Sequence, residues 1–190
     1  MSRRGMQIKA MLTLGILVGF GAVSTLAAWT GTATATSSIS SATVSLGVGA
    51  TASTATTASY TVPITGAGWY PGMSQAAVVV VKNTSSIAVP YSIAGSVAET
   101  GAGTLGNALN VAVKTGGGVT GTAPNVTCTG TSAVTKTAGS AFPAAVVRPT
   151  LAPGASETLC VQYGLPSTAA NALQGNATSV KLNFTATVGS

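Results

Sequence analysis

The chain has 190 residues, of which eight are Lys or Arg, two are Asp or Glu and none is His; 5% charge compares with about a quarter in soluble domains. Thr (30), Ser (20), Ala (33) and Gly (24) fill more than half of it, while 46% is hydrophobic, the reverse of the disordered signature. Collagen is excluded because glycine shows no three-residue period, and the missing His together with only Glu99 and Glu157 as acids leaves no expected cofactor or metal.

In chain order, the first element reads as a targeting signal. Arg3, Arg4 and Lys9 precede an uncharged run over 10–29, rich in Leu, Ile, Val and Gly, that closes on Leu26-Ala27-Ala28. Basic start, apolar middle and small-residue exit are the parts of a secretory signal peptide over residues 1–28. A retained membrane anchor is the alternative reading, since the run nearly spans a bilayer. Gly15, Gly19 and Gly21 weaken such a helix, and no stable span is expected after processing. Ser2-Arg3-Arg4 with Lys9 is only a faint match to a twin-arginine signal. Without residues 1–28 the net charge of +6 falls to +3, as Lys82, Lys114, Lys136, Arg148 and Lys181 face two glutamates. Five dispersed cations make no patch, so nucleic acid is not an expected partner.

Residues 29–41 follow. Thr32, Ala33, Thr34, Ala35 and Thr36 alternate at the strand period, with Trp29 and Ile39 as the bulky residues near the ends. The stretch suits an extended strand in a narrow groove and lacks the bulk to build a core; a disordered Thr/Ser/Ala tether is the other reading.

Residues 42–190 read as strands and turns. Tyr60, Val62 and Ile64 alternate with polar neighbours as a half-buried strand, and Trp69-Tyr70-Pro71-Gly72 makes a turn. The run 76–81 is short and β-branched, as in a central sandwich strand, and stops at Lys82-Asn83. Strands are also expected over 89–93, where Pro90 suggests a sheet edge, over 109–113, around Val146, over 158–163, and over 180–188. Gly116-Gly117-Gly118 reads as flexible, and 167–173 is the one helical hint. This spacing predicts an all-β sandwich in a single domain. Cys128 and Cys160, an even pair in an exported chain, are expected to form one disulfide closing a loop of about 33 residues.

Four motifs in order resemble the TasA and camelysin family. Gly21-Ala22-Val23-Ser24-Thr25-Leu26-Ala27-Ala28-Trp29-Thr30 resembles its signal ending, Ser41-Ala42-Thr43-Val44-Ser45-Leu46 its first mature strand, Trp69-Tyr70-Pro71-Gly72-Met73 with Val78-Val79-Val80-Val81-Lys82-Asn83 its Pro-Gly turn and strand, and Leu173-Gln174-Gly175-Asn176 with Val180-Lys181-Leu182-Asn183-Phe184-Thr185-Ala186 its last strand. The chain departs from the family in being shorter, almost uncharged and supplied with a cysteine pair. The resemblance implies cleavage between Ala28 and Trp29 by a dedicated signal peptidase, and a secreted, jelly-roll-like antiparallel subunit of matrix or surface filaments. It further implies that residues 29–41 act as a donor strand to the next copy. The expected partners are therefore further copies of the chain, the signal peptidase during export, and an accessory matrix protein.

Two other classes compete. A zinc peptidase of the camelysin type needs ligands and a base that a chain without His does not hold, and no motif pairs a serine with one of the lysines, so no enzyme activity is expected. A monomeric surface adhesin would use Thr-rich loops or Trp69 and Tyr70, residues that packing beside a turn also explains. Asn-x-Ser/Thr triplets at Asn83, Asn125, Asn176 and Asn183 are expected by chance in a chain so rich in Ser and Thr.

Overall fold

The computed structural model describes residues 3–23, 37–64, 68–100 and 104–188. The chain divides into two compact units, Met1–Ser40 and Ser41–Ser190. The first contains helix α1 (Arg3–Val23). No described helix is long and apolar enough to cross a membrane.

The second unit is all-β, two curled sheets packed as a sandwich. Its strands are β1 (Leu46–Gly49), β2 (Ser74–Asn83), β3 (Val89–Thr100), β4 (Asn110–Thr115), β5 (Val119–Thr122), β6 (Asn125–Cys128), β7 (Thr131–Lys136), β8 (Val146–Leu151), β9 (Ser156–Gly164) and β10 (Ala177–Ala186), with a one-turn helix α2 (Leu105–Ala108) before β4. The larger sheet runs β5-β6-β2-β9-β4-β7 with β1 also on β2, and the smaller runs β10-β3-β8. Pairing is antiparallel except where β2 meets β6 at Ser74 and Asn125.

The valine run falls in the middle of the larger sheet. Val79 and Val81 of β2 face the other sheet and pack with Leu159 and Val161 of β9, Val113 of β4, and Tyr91 and Ile93 of β3. Each is 2% exposed or less. β1 lies close against its own return loop: a Cβ on Gly47 would sit 2.2 Å from the Ala55 carbonyl oxygen, so no larger residue fits there. Asn83 ends β2 as a fully buried joint. Its Nδ2 donates to Ile87 O and Leu151 O at 2.8 Å each, and its Oδ1 accepts from Ser85 N.

Three expectations need correction. Pro90 does not mark an edge, because β3 is the middle strand of its sheet. Pro90 falls where the β3–β8 register shifts between Val89 and Tyr91, a break in the ladder that removes the demand for an N–H. The stretch 60–64 has the expected alternation, with Tyr60, Val62 and Ile64 half-buried, yet among the described residues it joins no ladder. Only Asn171–Leu173 of the stretch 167–173 is helical, as a 3-10 turn. Beyond these three, β5, β6 and β7 lie in residues 119–136, a stretch in which no strand is expected from the sequence.

Candidate functional site: a groove along an open sheet edge

β10 pairs with β3 without a register break from Ala177↔Thr100 to Ala186↔Tyr91. Among the described residues its other edge has no strand beside it. Residues exposed and half-buried alternate along its whole length, the cleanest period-two pattern in the chain and the reason it was legible as a strand. The inward set, Thr178, Val180, Leu182 and Phe184, borders a groove of about 1150 Å³. Leu46 and Val48 of β1 and the unladdered residues 58–62 also line it, with Val79 and Tyr163 from the larger sheet and Leu105, Leu109 and Trp69. The Phe184 ring lies against Tyr91, with centroids 6.4 Å apart and planes at 52°. Burial pushes the Tyr163 phenol up to about 12.

A polar clamp ties the two sheets together, and Glu99 and Lys136 brace the segment before β4. Glu157 on β9 accepts a hydrogen bond from Tyr91 Oη on β3 and one from Arg148 Nη2 on β8, both at 2.5 Å. Arg148 and Glu157 side chains are 17% and 18% exposed. The paired carboxylate holds Arg148 above its ordinary value, while Arg148 Nε is buried with no partner. The Tyr91 hydroxyl is raised first by burial and then by its bond to Glu157. The second acid, Glu99, accepts from the backbone N–H groups of Gly106 and Asn107 at the start of α2. Lys136, 1% exposed, donates from Nζ to Asn107 O and Leu109 O at 3.0 and 2.9 Å. Burial lowers its pKa, an effect opposed by the charge of Glu99. Both acids of the chain thus serve the framework, and among the described residues no three His, Cys, Asp or Glu gather as a metal site.

The expected disulfide is formed between Cys128 and Cys160, with Cα atoms 5.7 Å apart. It fixes the β5–β6 hairpin to β9, assisted by Lys114 Nζ donating to Cys128 O and Cys128 N donating to Gln162 Oε1, each at 2.9 Å. Trp69 is half-buried against Leu109, Val111 and Leu165, as packing beside a turn predicts, whereas Tyr70 is 50% exposed.

Of the donor-strand residues, Ile39 is 93% exposed. Ala28, Trp29, Thr32, Ala33, Thr34, Ala35 and Thr36 lie outside the described residues. The strand expected over 41–46 begins only at Leu46. Before it, Thr43 and Ser45 run beside 84–86: Ser86 N donates to Thr43 O, Thr84 N donates to Ser45 O, and Ser45 N donates to the Ser85 hydroxyl. Sequence reading missed the Tyr91–Glu157–Arg148 clamp. The only available signal was that one of two acids in the chain sits in a strand, where an unpaired carboxylate would be costly. Compared with known proteins, the chain matches no family model and no curated protein.

Proposed function

We propose that this chain is the structural subunit of secreted filaments, each copy laying residues 29–41 along β10 of the next. The observation that carries this reading is the edge of β10, unpaired among the described residues, beside a long, half-uncovered groove. An open edge presents a row of free N–H and C=O groups, a template for a strand from another chain. Ten residues at about 3.3 Å each need a partner of about 33 Å, which residues 29–41 supply in extended form. Their Thr/Ala alternation gives small inward side chains, so the backbone can approach a groove whose walls already carry the bulk. Ala33 and Ala35 would face inward, with Trp29 or Ile39 fixing the register. A net charge of only +3 after residue 28 lets copies stack without strong repulsion. Donation from one copy to the next does not close on itself, so a filament grows. The disulfide suits an oxidising, extracellular setting. The motif resemblance to the TasA and camelysin family supports the same reading.

The test is the assembly state of the secreted protein by size-exclusion chromatography and negative-stain microscopy. Filaments are expected from the chain starting at Trp29, and monomers from Ala33→Asp with Ala35→Asp, because burying two unpaired carboxylates costs several kcal/mol at every joint. Deleting 29–41 is expected to leave a folded monomer or one that clumps through its bare edge. Normal filaments from the deletion would refute the proposal.

A further inference from the structure

Residues 58–62 are a strand in sequence and not in pairing. Tyr60 and Val62 turn half-buried towards the core and alternate with exposed Ser59 and Thr61, yet among the described residues their backbone N–H groups donate to nothing. Two of its carbonyls are engaged, Ser59 O by the Thr57 hydroxyl and Val62 O by Ile64 N. Pro63, which has no N–H to offer, stands directly after the stretch. The stretch lines the same groove as β10, with the empty volume bordered by both.

A β-strand has two hydrogen-bonding edges. If an incoming segment paired only with β10, its other edge would be left without partners inside the groove, where each unmet backbone group is costly. Residues 58–62 carry the missing complement: backbone N–H groups with no acceptor among the described residues, strand-like alternation and side chains already aligned with the core. We infer that residues 58–62 are the second half of the acceptor site, and that the arriving segment 29–41 of another copy seats between them and β10 and converts them into a strand. This inference rests on the donor-strand reading of the groove. It adds that the acceptor contributes two edges and gains order on assembly, without expelling any segment of its own.

Hydrogen exchange of the full chain from Trp29 separates the two claims. The assembled wild type is compared with the unassembled Ala33→Asp, Ala35→Asp chain, resolving peptides that cover 58–62 and β10. Both stretches are expected to slow on assembly, 58–62 by about a hundredfold or more because its amides start unbonded. Slowing in β10 with no change at 58–62 would overturn the two-edged acceptor while leaving donor pairing intact. Faster exchange at 58–62 would also overturn it, showing that the stretch is expelled. Filaments with no slowing at β10 would remove the donor reading itself, and this inference with it.

Discussion

β9 and β10 are both strands of the same sandwich, and their inward side chains meet different fates. Leu159 and Val161 of β9 are fully buried, while Val180, Leu182 and Phe184 of β10 are only half-covered. Both sets are apolar and both alternate. The difference lies in their neighbours: β9 has β2 on one side and β4 on the other, whereas β10 has β3 alone among the described strands. Burial in a sandwich is therefore set by the second neighbour as much as by the side chain, and no described strand supplies one on the β10 flank.

The comparison breaks most sharply on truncation. Leu159→Ala is expected to cost about 3–5 kcal/mol, as for a fully packed core leucine that leaves a cavity behind. Leu182→Ala in the unassembled chain should cost only about 1 kcal/mol, because its methyls are already partly in water. Denaturant unfolding with the disulfide intact measures both; equal losses would mean the β10 flank is as closed as the β9 flank. Second in size is the covalent anchor on the closed flank. Replacing Cys128 and Cys160 by Ser should lower stability by about 3 kcal/mol through the freed loop of about 33 residues, with β2, β9 and β4 keeping their register.

The smallest effect is on pH. Tyr163, raised by burial to about 12, and Tyr91, raised in the same direction, hold their phenolic protons more tightly folded than unfolded. The unfolded chain releases those protons first, near 10, so their contribution is complete below that pH and is lost as pH climbs through the folded values. Thermal melts should fall by a few degrees between about pH 9 and pH 11, and Tyr163→Phe should shrink that fall by removing its phenol. A variant that loses the same amount as wild type would show that Tyr163 is open to water.

The strands that build the core were legible because bulk and period agree. The run Val78 to Val81 and the alternation of 180–186 leave few other conformations that bury their side chains. β5 and β6 escaped because their hairpin carries little apolar content: all four β5 residues are exposed. That hairpin is attached by a disulfide and by bonds from Lys114 and to Gln162, none of which leaves a periodic trace. Residues 60–64 show the opposite case, in which the alternation is plain but no described strand stands beside it. A period reports which side chains turn inward; it does not say whether a neighbour is present. The proposed donor was legible only as a pattern of Thr and Ala directly after the expected cleavage point, and the groove that would receive it arises from β10, β1 and 58–62, stretches far apart in sequence.

Asn83 divides the four Asn-x-Ser/Thr triplets into unequal classes. Its amide is sealed at the end of β2 with both donor and acceptor committed, whereas Asn125 and Asn183 are exposed. In a host that attaches glycans to asparagine, a sugar could reach Asn83 only on a chain that has not yet folded, and once attached it would keep the β2 terminus from closing. Folding speed would then act as a quality filter on the product: chains that close promptly escape modification at Asn83, and delayed ones carry a permanent mark of their delay.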